Sequence, residues 1–315
     1  MKRFTIFLLV CNFFSVSVLA QWFDAKQDKS NTTGLHYIDR FTYLPLPGTE
    51  QPDKSKLASN NINRNSIIAF NEAGRIISIM DYEPGTTDKS GPTKRYYWDG
   101  PKLIKEVQEN DAFEVLYSVI YTYDASDNEI KAETKNGPAD NSYLPGEIME
   151  SAWDADKLIK LTRKNEKGSI ESERTYTYDS KGMRIKEVYS DKHNTSTKTF
   201  VYDSKGNKIK ETDLDKDGNP SYIWEREYDK AGNMLKVTST EYYQGKQQSQ
   251  GVSIMTYDTH GGRTSYIHTE NGKTTNDSWK HTYDNKGNRI QTVRIKEGKV
   301  VDVEVLKLLY YPGKN

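Results

Sequence analysis

Between residues 66 and 296, large apolar side chains recur in pairs two residues apart, each pair followed by Asp or Asn and, in most copies, a short polar run that closes on Gly. Ile68/Phe70, Tyr96/Trp98, Tyr121/Tyr123, Tyr176/Tyr178, Phe200/Tyr202 and Met255/Tyr257 show it most plainly. A spacing of two places both members on one face of a β-strand. In the polar run, as in Asp203-Ser204-Lys205-Gly206, the carboxylate bonds nearby amides and Gly accepts a positive φ, which is hairpin chemistry. The pattern therefore predicts strand, tight turn, strand. Anchored on the residue before Asp or Asn, the unit occurs nine times, at Phe70, Trp98, Tyr123, Trp153, Tyr178, Tyr202, Tyr228, Tyr257 and Tyr283, with anchors 24 to 30 residues apart.

Six units carry an aliphatic residue seven positions past the anchor: Ile77, Ile130, Ile185, Ile209, Leu235 and Ile290. In the two Trp-anchored units Leu103 and Leu158 come five positions past it. A difference of two keeps side chains on the same face, so anchor and aliphatic residue are expected to pair across a four-residue loop in the common units, although Asp-x-x-Gly also suits a three-residue turn with a bulge. Thr264 breaks the aliphatic rule and is expected to mark a weaker unit. Second turns at Asn136-Gly137, Gln244-Gly245 and Asn271-Gly272 return the chain to the next hairpin. The expected fold is all-β, an antiparallel meander of about eighteen strands. Tyr, Phe, Trp, Ile and Leu are expected on one face and Lys, Glu, Thr and Arg on the other. A sheet that long cannot stay flat at ordinary twist and must curl or coil.

The units "YTYDSKGMRIKE", "FVYDSKGNKIKE" and "HTYDNKGNRIQT" resemble the YD repeat of the Rhs family, in which Tyr-Asp is followed by two residues, Gly, a basic residue and an aliphatic one. The resemblance covers nearly three quarters of the chain. It implies a long sheet that spirals into a hollow shell, which in large members encloses a toxin or stands on a cell surface. No Asp-Pro pair occurs, so the motif that closes the shell before a toxin is missing. The segment "GKVVDVEVLKLLYYPGKN" after the last unit is too short for a toxin domain. The resemblance thus implies a curled or spiral sheet, an open or partial shell without cargo.

The flanks read differently. Residues 21–65 lack the repeat and are rich in Pro, Ser, Asn and charge toward their end, which reads as an irregular N-terminal cap and linker, with "LHYIDRFTYL" covering the first repeat. In 297–315, Val301, Val303 and Val305 alternate with Asp302 and Glu304, as in a C-terminal capping strand with one buried side. Residues 1–20 have a basic start, an uncharged apolar run and small residues up to Ala20, the layout of a signal peptide cleaved before Gln21, with a signal anchor as the alternative. The lone cysteine, Cys11, falls inside that segment, so no disulfide is expected.

Composition agrees with a thin-cored repeat. The apolar share is 34% and the mean hydropathy −0.87, yet 22 Tyr, 5 Trp and 9 Phe are far more aromatic residues than disorder tolerates. Loss of Lys2 and Arg3 with the signal peptide turns 45 basic against 45 acidic residues into 43 against 45, a charge of −2 spread over interleaved signs. That leaves no basic stripe for nucleic acid, and no later segment is apolar enough to span a membrane as a helix. The expected location is outside the cytoplasm: periplasmic, cell-surface or extracellular.

Candidate chemistry is sparse. Asp213, Asp215 and Asp217 before Gly218 match the start of a calcium loop, although Pro220 stands where an aliphatic residue is wanted; a polar hairpin turn explains the same residues. Calcium is the one cofactor candidate. His36, His193, His260, His268 and His281 show no metal-ligand spacing. No Gly-x-Ser-x-Gly elbow, Walker loop or His-Glu-x-x-His occurs, so no enzyme is expected. Trp98, Trp153, Trp224 and Trp279 are the candidates for stacking on carbohydrate. The competing reading is cross-strand packing, because Trp98 and Trp153 replace the anchor Tyr and the other two share its parity. The functional expectation is an exported, non-catalytic scaffold or binding protein whose partner is a polysaccharide or a surface protein. The alternative is a shell component that associates with other proteins through its end strands.

Overall fold

The computed structural model describes residues 35–58, 66–81, 93–110, 112–138 and 146–310, so the expected signal peptide and Cys11 lie outside the described residues. Strands β1 (Leu35–Pro45) and β2 (Pro52–Leu57) precede the repeats. The nine units are the hairpins β3 (Ser66–Phe70) with β4 (Ile76–Asp81), β5 (Thr93–Asp99) with β6 (Lys102–Glu109), β7 (Val115–Tyr123) with β8 (Glu129–Asn136), β9 (Glu147–Asp154) with β10 (Lys157–Asn165), and β11 (Ile170–Tyr178) with β12 (Arg184–Asp191). They continue as β13 (Thr195–Tyr202) with β14 (Lys208–Leu214), β15 (Pro220–Tyr228) with β16 (Met234–Tyr243), β17 (Lys246–Tyr257) with β18 (Arg263–Glu270), and β19 (Lys273–Tyr283) with β20 (Arg289–Lys296); β21 (Lys299–Tyr310) follows.

The turn chemistry is as expected, but its length is not. The Asp203 amide donates to the Asn207 carbonyl at 2.9 Å and the Gly206 amide to the Asp203 carbonyl at 3.1 Å, while Asp203 Oδ1 accepts from the Lys205 and Asn207 amides. Gly206 sits at φ 83°, where a Cβ would be strained. The loop is therefore three residues, Ser204 to Gly206, and not four. Tyr202 faces Lys208, the ladder resumes at Val201 and Lys210, and Ile209 is left as the extra residue of a β-bulge. The same slip leaves out Ile77, Ile130, Ile185, Leu235, Thr264 and Ile290. The aliphatic residue thus does not pair with the anchor.

In the Trp units Trp98 faces Leu103 and Trp153 faces Leu158 across two-residue loops, and the bulged residues are Ile104 and Ile159. The two kinds of unit differ by one residue, which the change of turn absorbs without disturbing the register. Gln244-Gly245 and Asn271-Gly272 are two-residue turns as expected. Asn136-Gly137 is not a turn: Asn136 faces Tyr117 in β7 and the Gly137 amide donates to the Leu116 carbonyl. The return to β9 passes through residues outside the described set.

Between units the ladder stops short of the turns. Strands β12 and β13 pair as far as Lys186 and Thr199 and then part, which strands the Arg184 carbonyl. The Tyr202 hydroxyl donates to it at 2.7 Å. Likewise Tyr123 donates to the Leu103 carbonyl at 2.8 Å, Tyr178 to Leu158 at 2.7 Å, Tyr228 to Lys208 at 3.0 Å and Tyr257 to Met234 at 2.9 Å. Each of these five tyrosines ties its hairpin to the one before.

The sheet closes on itself, which overturns the expected open spiral. Strand β1 pairs with β21 from Tyr37/Leu309 to Tyr43/Val303 and with β3 from Tyr37/Ala69 to Arg40/Ser66. The result is a closed 20-strand antiparallel barrel of β1 and β3 to β21, with β2 added beside β3 on the same flank of β1. "LHYIDRFTYL" is thus a regular closing strand and not an irregular cap. Closure satisfies both edges that a spiral would leave bare. It also takes up the end strands: Val303 and Val305 face Tyr43 and Phe41 of the same chain.

Adjacent residues differ sharply in exposure. Phe200 is 5% exposed beside Val201 at 50%, and Met255 3% beside Ile254 at 47%. Side chains converge on the concave side of a closed wall, so the crowded face, which holds the anchors, is the inner one. Small apolar clusters sit there at Ile38, Ile68, Phe70 and Leu306 and at Tyr96, Leu103, Val119 and Tyr121. Contrary to expectation the inner face also carries Lys198, Glu211, Asp213 and Arg226, which share strand parity with the rings. Both sides of β21 are covered: Asp302 inward against Arg294, and Val303 outward under the β1–β2 connection, whose Glu50 pairs with Lys280 of β19.

Replacing Tyr202 by Phe keeps the ring and removes the donor to the Arg184 carbonyl. The expected cost is about 1–2 kcal/mol, read as a lower urea midpoint with an unchanged slope. A midpoint equal to wild type would show that water satisfies that carbonyl equally well.

Candidate binding site on the inner wall

All four candidate tryptophans point to the inner wall, but they fall into two groups. Trp98 and Trp153 do the work of an anchor tyrosine: their indole N–H groups donate to the carbonyls of Ile76 and Glu129 in the preceding units, each at 2.8 Å. For these two, the packing reading is the one that the geometry supports. Trp224 and Trp279 stand higher on the wall, each four residues before its anchor, Tyr228 and Tyr283 respectively, at the level where charged residues lie among the rings.

Trp224 of β15 lies between Glu211 of β14 and Ser239 of β16. The Tyr222 ring is 4.1 Å away at 35°, and the Lys198 ammonium stands 5.4 Å from the indole. Around it the charges are paired: Lys198 with Asp213 at 2.9 Å, and Glu211 with Lys208 at 2.7 Å and Arg226 at 3.1 Å. Burial works to raise the Glu211 carboxyl, but Lys208, Lys198 and Arg226 together hold it below the usual range. Trp279 of β19 faces Arg294 of β20, with the Arg263 guanidinium 4.7 Å from its ring.

The three aspartates of the calcium expectation separate. Asp213 points inward to Lys198, whereas Asp215 caps its own hairpin, accepting from the Asp217 and Asn219 amides at 2.9 and 2.8 Å. Asp217 lies exposed in the turn. This is the turn reading of those residues, and among the described residues no group of three or more His, Cys, Asp or Glu side chains is placed to hold a metal.

Residues that the repeat pattern did not single out complete the wall. Tyr310 acts as a tenth anchor, donating to Asp284 Oδ2 at 3.2 Å and accepting from Asn288 at 2.7 Å. It lies 27 residues past Tyr283, within the repeat spacing, but is followed by Tyr311 in place of Asp. Tyr222, Arg226, Asp277 and Arg294 were equally unmarked; their only sequence signal is parity with a neighbouring Trp.

A second inner sector centres on Glu106, which is 6% exposed and faces Tyr96 and Val119, with the Lys94 ammonium at 3.6 Å. Burial pushes its carboxyl above the ordinary range against the opposing pull of Lys94. The phenols of Tyr96, Tyr117 and Tyr121 are pushed up as well, by burial first and by Glu106 next.

The outer wall carries ion pairs along the strands, among them Lys131–Glu133 at 2.9 Å, Lys160–Glu173 at 2.5 Å and Lys236–Glu227 at 2.8 Å. A barrel set in lipid presents an apolar band about 25 Å tall at those positions. Among the described residues no helix is long and apolar enough to cross a membrane.

No family model matches the sequence, and no curated protein matches it. Solved structures similar in strand layout include the crystal structure of TcdB2-TccC3-Cdc42, at TM-score 0.41 and 12% identity, covering 78% of this chain and 15% of the other. The crystal structure of TcdB2-TccC3 aligns at TM-score 0.38 and 13% identity over 83% of this chain and 16% of that one. A porin-like protein from Bacteroides uniformis ATCC 8492 aligns at TM-score 0.35 and 13% identity, over 89% of this chain and 99% of its own. The chain therefore spans 15% to 16% of the length of the TcdB2-TccC3 chains. At these scores the likenesses carry no activity or partner across.

A carboxyl whose pKa is raised on folding holds its proton more tightly in the native state, so stability falls as pH rises from the ordinary Glu value through the raised one. Glu106→Gln mimics the protonated form and should remove that fall. The urea midpoint of the variant is expected to gain on wild type between pH 5 and pH 7.5. A constant difference across that range would show that Glu106 ionises as freely as in the unfolded chain.

Proposed function

We propose that the protein is an exported, non-catalytic YD-type binding barrel that holds a polysaccharide against its inner wall. The observation that carries this reading is the placement of Trp224 and Trp279 mid-wall, away from the splayed carbonyls that occupy Trp98 and Trp153. Aromatic rings amid fixed donors and acceptors are suited to the apolar faces and hydroxyl rims of sugar rings. The closed ring favours an extended ligand over end-to-end assembly, because β1 and β21 satisfy each other. Export rests on the signal-like residues 1–20, and no metal is required at the Asp-rich turn, where Asp215 already serves the backbone.

The test is retention of the purified chain on a panel of insoluble cell-wall and extracellular polysaccharides, beside a Trp224→Ala and Trp279→Ala double variant and a Trp153→Tyr control. Retention on at least one polysaccharide, reduced about tenfold or more in the double variant and kept by the control, is expected. Equal retention by wild type and the folded double variant would refute the tryptophan site, and no retention on any polysaccharide would refute the binding reading.

A further inference from the structure

We infer that the inner wall recognises an uncharged, polyhydroxylated chain, at two equivalent subsites centred on Trp224 and Trp279; this rests on the polysaccharide reading above. Both places repeat the same three parts. Each has an indole, a buried arginine nitrogen without a hydrogen-bond acceptor, and a buried aspartate oxygen outside hydrogen-bond geometry.

At the first, Arg226 lies two residues past Trp224 on the same strand face and gives Nη2 to Glu211 at 3.1 Å, while its Nη1 has no partner. Asp213, facing Tyr222, forms its hydrogen bond to Lys198 through Oδ2 at 3.0 Å. Its Oδ1 lies 2.9 Å from the same ammonium as an ion pair but outside hydrogen-bond geometry. At the second, Asp277 lies two residues before Trp279, and Arg294 faces that indole across the ladder. Asp277 Oδ1 and Arg294 Nε are 4.0 Å apart, and neither has a hydrogen bond.

A 4.0 Å gap is too long for a direct bond, and both atoms are buried, but the Arg294 and Asp277 side chains are 22% and 28% exposed, so a rotation of either one toward the lumen admits a bridging oxygen. Only a group that accepts from N–H and donates to carboxylate at once satisfies both sides, and a hydroxyl is that group. A carboxylate or sulfate ligand would serve the arginine and leave the aspartate facing a like charge. Charge balance points the same way. Lys198, Lys208 and Arg226 stand against Glu211 and Asp213 at the first subsite, and Arg263 and Arg294 against Asp277 and Asp302 at the second, so the excess is at most one cation and neither subsite projects the strong positive field that gathers a polyanion. Trp98 and Trp153 have no such flanking pair and spend their N–H groups on backbone carbonyls.

The experiment is calorimetric titration of the full chain with four soluble polymers: a neutral glucan, a neutral mannan, polygalacturonate and dextran sulfate, at 50 and 500 mM NaCl. A neutral polymer is expected to bind with an affinity that changes less than about twofold between the two salts. Arg226→Lys and Arg294→Lys keep the charge and lose the planar N–H array, so each is expected to weaken binding about tenfold, with Lys210→Gln on the outer wall as an unaffected control. Unchanged urea midpoints show that the variants are folded. Binding confined to the anionic polymers, falling steeply with salt, would overturn this inference and leave the polysaccharide reading standing. Neutral binding indifferent to both arginine changes would overturn the subsites. No binding to any polymer, together with no retention on the insoluble panel, would overturn the reading and the inference together.

Discussion

The structure depends on one hydrogen bond repeated along the chain: in seven of the nine hairpins the anchor side chain donates to a carbonyl of the hairpin before it. Successive hairpins separate near their turns, and every separation strands a carbonyl that neither strand ladder can satisfy. A tyrosine hydroxyl reaches it, and so does an indole N–H, which is why Trp stands for Tyr at residues 98 and 153. Where Asp258 takes the Tyr283 hydroxyl instead, the neighbouring His281 Nε2 stands 2.9 Å from the Arg263 carbonyl and does the same work. The chemistry is conserved in space even where the residue type is not repeated.

A wall built this way needs little apolar core. Its stability comes from paired backbone groups, capped turns and packed rings, and among the described residues the apolar clusters lie around β1, β3 and β21 and around β5 to β7. That suits a sequence of mean hydropathy −0.87, because nearly every residue lies on one of two surfaces. The bulge after each turn turns the aliphatic residue of the repeat out of the pairing, and Ile185 and Leu235 end up exposed. Closure by β1 then removes the open edges that would make so long a sheet prone to add further strands.

The same alternation shapes the candidate site. Inner positions near the turns are committed to holding hairpins together, whereas those farther along the strands are free of that duty and carry rings between opposite charges. Pairing leaves at most one cation in excess among those charges, so what the wall mainly offers a ligand is directional hydrogen bonding beside aromatic faces. Glu106 and Glu147 are exceptions, carboxyls whose burial outweighs the pull of a neighbouring cation.

The sequence by itself determined the hairpins. Nine anchors, their Asp and Gly turns, and the two-residue returns at 244–245 and 271–272 were legible because each is fixed by neighbours within a few residues. It did not determine the bulge, since a four-residue loop and a three-residue loop with one extra residue cover the same stretch of chain and only the ladder separates them. Nor did it show that "LHYIDRFTYL" closes a ring, because its partners lie at residues 66–69 and 303–310 and no local pattern encodes that meeting. The four tryptophans looked alike in sequence. The tertiary structure alone divided them, because only the splay between hairpins decides which indole finds a stranded carbonyl and which is left facing the interior of the barrel.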